Sequence, residues 1–202
     1  GDYNVGLGDN AGTAITSGSE NTVVGYQAGD ALTTASANVA LGTYALSSDT
    51  LGGSSVAIGR AALANQNFTS ATDAYNTAVG TRAGVEVTTG VQNTFIGGQS
   101  GDANTTASYN TAVGYSALSA NTTGVQNVGV GRNTLYTNTT GAYNTALGNS
   151  ALYANTTASY NTSIGFEALA ANTTGADNVA VGRMSLDANT TANYNTAVGS
   201  IA

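Results

Sequence analysis

Asn110-Thr111-Ala112-Val113-Gly114 decides the fold, because the same five-residue pattern returns along the whole chain. With the asparagine as position 0, copies begin at Asn4, Asn21, Asn38, Ser55, Asn76, Asn93, Asn110, Asn127, Asn144, Asn161, Asn178 and Asn195. The step is 17 residues except between Ser55 and Asn76, where it is 21. Four residues are therefore added to the fourth repeat, within residues 65–74. A short fixed period that fills the chain indicates one elongated array over residues 1–202 without an internal domain boundary.

Within a repeat, +1 is Thr or Val and +2 is small in most copies. Position +3 is aliphatic in every copy, from Leu7 through Val113 to Val198. This is a short β pattern in which +1 and +3 share a face, and that apolar face is expected to turn inward. Position +4 is Gly in all copies, from Gly8 to Gly199, which implies a turn with positive φ or a close backbone approach. Position +7 is small, and +8 is Leu or Gly. The seven Leu (Leu46, Leu63, Leu118, Leu135, Leu152, Leu169 and Leu186) suggest a second short strand pointing into the same core. The rest is polar turn chemistry, Asn-Thr-Thr followed by Gly or Ala, as in Asn121 to Gly124.

Seventeen residues cannot hold a pair of packed helices, which takes about 34–47 residues in helical arrays, and the leucine-rich signature is missing. The pattern fits an all-β chain: a parallel β-solenoid or β-roll of twelve 17-residue coils. Equivalent residues then stack about 4.8 Å apart, giving a rod roughly 55–60 Å long in which the position-0 amides form a hydrogen-bonded ladder. So thin a core favours side-by-side association of chains.

Only 7% of residues are charged, and there is no His, Cys, Pro, Trp or Lys. The usual general base, thiol nucleophile and zinc or copper ligands are missing, so no enzyme, cofactor or metal site is expected. The net charge of −7 is the wrong sign for a phosphate backbone and argues against nucleic acid as a partner. No apolar run reaches 18 residues, so no membrane insertion is expected of this segment. The chain opens on Gly1 without a signal-peptide pattern, which suggests a processed chain or an excerpt of a longer one.

Ser55-Val-Ala-Ile-Gly59, Asn38-Val-Ala-Leu-Gly42 and Asn178-Val-Ala-Val-Gly182 resemble the head repeats of YadA-like trimeric autotransporter adhesins. The small pairs Ala28-Gly29 and Ala83-Gly84 are similar to that pattern too, and the resemblance spans every repeat. It implies a left-handed parallel β-roll, a homotrimer about a common axis, and adhesion outside the cell, at a bacterial surface or, since similar repeats occur in phage tail fibres, on a virion. A host surface protein or glycan would be the partner. The chain departs from those heads in its longer period and in the frequent Thr at +1. A self-assembling extracellular filament is an alternative. A second resemblance, of Asn21-Thr-Val-Val-Gly25 to ice-binding β-solenoids, implies a flat Thr array. The Thr pairs at +12 and +13 (Thr105 and Thr106, Thr122 and Thr123, Thr139 and Thr140) are adjacent and would point to opposite faces, which weighs against it.

Other columns carry weaker signals, and no ligand-binding residue is assigned. Tyr precedes the ladder position at Tyr3, Tyr75, Tyr109, Tyr143, Tyr160 and Tyr194, in part alternating with Gln92 and Gln126. Such a column either stacks to stiffen the edge or meets sugar rings. Arg60, Arg132 and Arg183 share +5, with Arg82 one place later, as solvated charges or as partners for acids on a neighbouring chain. Asn104, Asn121, Asn138, Asn155, Asn172 and Asn189, with Asn67 and Asn161, match the N-glycosylation acceptor pattern, which the repeat itself generates. Asp30, Asp102 and Asp187 at +9 lack any calcium-loop spacing.

Overall fold

In a computed structural model describing residues 1–202, the chain winds into a parallel β-solenoid with a repeat of about 17 residues and no helix. Positions +1 to +3 of each repeat form a strand: β1 (Val5–Leu7), β2 (Thr22–Val24), β3 (Val39–Leu41), β5 (Val56–Ile58), β7 (Thr77–Val79), β8 (Thr94–Ile96) and β9 (Thr111–Val113). The series continues with β10 (Val128–Val130), β11 (Thr145–Leu147), β12 (Thr162–Ile164), β13 (Val179–Val181) and β14 (Thr196–Val198). These twelve strands make one sheet in chain order, all parallel and in matching register, so that Val113 lies between Ile96 and Val130. Two further strands, β4 (Gly52–Gly53) and β6 (Thr72–Asp73), pair on another side of the coil. Of 123 backbone hydrogen bonds only 23 lie within strands. The turns stack coil on coil as well: Thr105 N–H donates to Thr122 at 3.1 Å and Leu118 N–H to Thr134 at 2.9 Å.

The expectation that +1 and +3 face inward is overturned. The inward residue is the middle one: Ala40, Ala57, Ala78, Ala112, Ala146 and Ala180 are fully buried, while +1 and +3 are half-exposed in most strands. A three-residue strand with one inward position follows the period of two. The narrow interior leaves that position room only for a small side chain, because Leu at +8 reaches across to it. The +1/+3 pair, Thr or Val beside an aliphatic residue, therefore faces outward.

The second strand expected at +7 and +8 is also absent. That segment is a run of turns, and the +8 Leu residues have left-handed backbone, with φ between +49° and +54°. Their side chains do point inward, as expected: six of the seven are fully buried and Leu186 packs against the cluster. A left-handed non-Gly residue costs roughly 1–2 kcal/mol, while burying a Leu side chain gains about 1.5–3 kcal/mol. Burial therefore decides in favour of Leu unless another group fills the space.

That condition explains every Gly at +8. Gly12, Gly29 and Gly84 are each followed at +11 by an aliphatic residue, Ile15, Leu32 or Val87, where Leu-bearing coils have Asp, Gln or Asn. Ile15 and Leu32 stand where a Cβ on Gly12 or Gly29 would, and at Gly84 the Phe95 ring does. At Gly101 the filler is Phe95, fully buried, whose ring occupies the place that a side chain on Gly101 would take. Gly129 at +2 is likewise matched by Thr134 at +7, where most coils have Ala.

The Gly at +4 is required on two grounds. Its φ lies between +127° and +139°, and a Cβ on Gly114 would stand 2.5 Å from the Gly131 carbonyl oxygen. The insertion expected within 65–74 is narrowed by register. Against the following coil Asn67 N–H still donates to Thr88 and Ala74 still accepts from Gln92, so the four extra residues fall within 68–73. Against the preceding coil the pairing is slipped by one, with Asp73 opposite Gly53. Phe68 tucks in, 5% exposed, over Gly52, and Thr69 to Ala71 form the exposed tip.

Candidate functional site

Two buried amide ladders set the outline on which the surface is carried. At position 0, each Asn accepts the backbone N–H of the next coil's position 0 on its Oδ1, as in Asn127 to Asn110 at 2.9 Å. Its Nδ2 donates to the carbonyl fourteen residues on, as in Asn110 to Gly124 at 2.9 Å. A second ladder, at +11, is not evident from the sequence. There Asn121 donates to Asn104 Oδ1 at 3.0 Å and to that same Gly124 carbonyl at 2.9 Å, and Asn138, Asn155, Asn172 and Asn189 repeat the arrangement. Both lone pairs of the carbonyl are thus used and both Nδ2 hydrogens are committed. These +11 residues are the sequon asparagines. From Asn104 to Asn172 they are buried, so a folded chain offers no free amide there; of the eight, Asn67 alone is clearly exposed.

Ser55 interrupts the first ladder, and Gln66 repairs it from the side. Its Nε2 donates to Ser55 Oγ at 3.1 Å and Asp49 Oδ2 at 2.7 Å, and its Oε1 accepts from Asn76 Nδ2 at 2.8 Å. Asp49, fully buried, also takes the Gly52 N–H at 2.8 Å. This polar cluster is satisfied within the chain and accounts for Asp and Gln at +11 in these two coils.

On the outside, the +3 column runs the length of the rod as an aliphatic stripe: Leu7, Val24, Leu41, Ile58, Val79, Ile96, Val113, Val130, Leu147, Ile164, Val181 and Val198. Beside it runs the +1 column, a mixture of Thr and Val. Ile96 is 40% exposed, and a contiguous apolar face of this length is unusual for a surface left to water.

Aromatic columns are also carried on the surface. The −1 tyrosines are all exposed, and Tyr143 and Tyr160 stack with centroids 5.0 Å apart and planes 3° apart. A second stack, Tyr136 on Tyr153 (5.2 Å, 6°), lies at +9, and the repeat alignment already puts both residues in the column that holds Asp30. Tyr26 and Tyr44 meet edge to face at 5.5 Å. The neighbouring Tyr44 phenol, followed by slight burial, holds the Tyr26 hydroxyl above its ordinary range, and Asp9 and Asp30 act the same way.

All four arginines are exposed, and their side-chain hydrogen bonding within the chain is confined to Arg183 Nη1 donating to Met184 Sδ at 3.1 Å. Asp102 accepts from Ser119 Oγ at 2.7 Å, and a buried Oδ1 of Asp30 has no partner. No three acids come together to hold a metal ion, and no helix is long and apolar enough to cross a membrane. Three shallow depressions mark the surface. One of about 240 Å³ lies beside the insertion (Ser36, Leu51, Gly53, Ala71, Asp73), one of about 230 Å³ at the first coil (Asn4, Ile15, Val23), and one of about 270 Å³ beside Tyr153.

No protein-family model, curated protein or solved structure matches the chain. The functional reading therefore rests on these surfaces.

Proposed function

We propose that the chain is a segment of a non-enzymatic, surface-displayed rod in which several copies, as a homotrimer, pack side by side through their +1/+3 faces. The observation that carries this is the outward aliphatic stripe from Leu7 to Val198, uninterrupted by any polar residue at +3. Burying it between copies supplies the apolar core that each thin coil lacks, at about 25 cal/mol per Å² removed from water. A left-handed winding and a place on a bacterial adhesin or a phage fibre belong to the same reading. The mechanism is mechanical. A stiff rod holds its repeated tyrosine and arginine columns away from the cell or virion, and weak contacts combine through effective concentration.

A second reading is supported by the same face. Seven of the twelve +1 residues are Thr, so much of the stripe is an outward Thr-x-aliphatic array on a regular sheet, the arrangement that binding to ice would use. The +12 and +13 threonines are not needed for it.

Electron microscopy and a thermal-hysteresis assay of the purified chain separate the readings. The rod reading predicts discrete particles about 55–60 Å long and no hysteresis. Fibres that lengthen without limit would transfer the reading to a filament subunit, and clear hysteresis would transfer the face to ice.

A further inference from the structure

The +9 column holds Tyr136, Tyr153, Ala170 and Asp187 in successive coils. The two tyrosines stack in parallel, and the stack stops at Ala170, whose methyl group leaves the far face of the Tyr153 ring uncovered. What remains is a slot of about 270 Å³ lined by Ser150, Tyr153, Glu167 and Ala170, with Tyr153 37% exposed. It falls just below the ~300–1,000 Å³ of drug-sized ligand pockets, which suits a single small ring.

Its rim is fixed and polar. Ser150 and Glu167 occupy +6 in adjacent coils with left-handed φ of +55° and +52°. Their backbone N–H groups are pinned at 3.0 Å to Arg132 and Asn149 of the preceding coils. Ser150 Oγ spends its proton on Asn149 Oδ1 at 2.8 Å and so presents lone pairs to the slot, beside the Glu167 carboxylate.

We propose that this slot is a subsite for a neutral pyranose sugar. The sugar's apolar C–H face stacks on the open ring of Tyr153, and hydroxyls on its edge donate to the Glu167 carboxylate and to Ser150 Oγ. One flat π face with acceptors along one rim matches a ring that is apolar on its faces and bears hydroxyl donors at its edge. Because Tyr136 backs Tyr153, the platform is rigid and loses little freedom on binding. The assignment rests on the rod as a display scaffold and names the ligand class that this part of it takes. A single shallow subsite binds weakly, in the millimolar range, and gains strength by repetition across copies of the rod.

The test is an NMR titration of the whole chain, labelled in its tyrosine rings, with methyl β-glucopyranoside. The Tyr153 ring signal should shift, and saturation transfer should be strongest at the axial protons of one sugar face. Tyr153→Ala should abolish both effects, and Glu167→Gln should weaken binding about tenfold, the loss of one charge-assisted hydrogen bond. Ala170→Tyr should also abolish binding by extending the stack into the slot, while leaving the melting temperature unchanged or raised. Undiminished binding by Ala170→Tyr overturns the proposal. So does a Tyr153 signal that ignores the sugar, or one that responds to arginine amide instead, which would mark the slot as a cation site. If no sugar binds while the rods still associate, the subsite falls and the rod reading stands; if the chains prove dissociated yet still bind sugar, the rod reading falls and the subsite stands.

Discussion

At the residue scale, one asparagine, one glycine and one leucine account for most of a coil. The glycine at +4 has both a Gly-only φ and a neighbouring carbonyl where its Cβ would be. Gly114→Ala should therefore cost at least about 3 kcal/mol in a denaturant titration, strain and clash together. Gly98→Ala, one position further along a coil with its nearest neighbour 3.6 Å away on the Tyr115 side chain, should stay within about 0.5 kcal/mol of the parent. Equal effects would contradict the corner role. Gln66 offers a second residue-scale test. Gln66→Leu leaves Asp49, Ser55 and Asn76 with unmet polar atoms in a buried cluster, and about 2–4 kcal/mol should be lost in the same titration. The corner and the first ladder are legible in the sequence because Gly and Asn stand almost unbroken in their columns. The repair at Ser55 is not, because Gln66 lies eleven residues away and only coiling brings the two together.

At the element scale, one coil is a strand, a chain of left-handed turns and a core shared between +2, +8 and +11. The sequence shows what fills the interior but not how the backbone delivers it. Leu at +8 reads as a strand residue because its side chain points inward, yet Gly or Leu as the only choices at +8 is what a left-handed backbone with an interior vacancy produces. The facing of the strand is also hidden. Thr or Val at +1 and an aliphatic residue at +3 around a small +2 are written identically by a buried face and by an interface, and only the width of the coil distinguishes them. The exchange between +8 and +11 gives a prediction. Leu118→Gly should cost about 2–5 kcal/mol by opening a cavity, and adding Asn121→Leu, which reproduces the Gly29 and Leu32 pair, should recover part of that stability in thermal melts. No recovery would mean that the second ladder at Asn121 matters more than the filled volume.

At the scale of the whole molecule, the solenoid satisfies its amides along the axis and leaves its aliphatic stripe to the side. The repeat, the parallel pairing and the single array are legible from the period alone. The stripe is not, since it depends on which way three residues face. A pair of charges in the middle of it on non-adjacent coils, Val113→Asp with Leu147→Asp, changes half-exposed positions and should leave the coil folded, yet the cost of burying unpaired carboxylates between copies should prevent side-by-side packing. Circular dichroism should be unchanged while association is lost. If the outward +1/+3 face is a contact between copies, the most direct measurement is the solution mass of the purified chain by light scattering. A stable multiple of 19.8 kDa is expected, reduced to one chain by the double charge, and a parent protein that is monomeric at 19.8 kDa would contradict that contact.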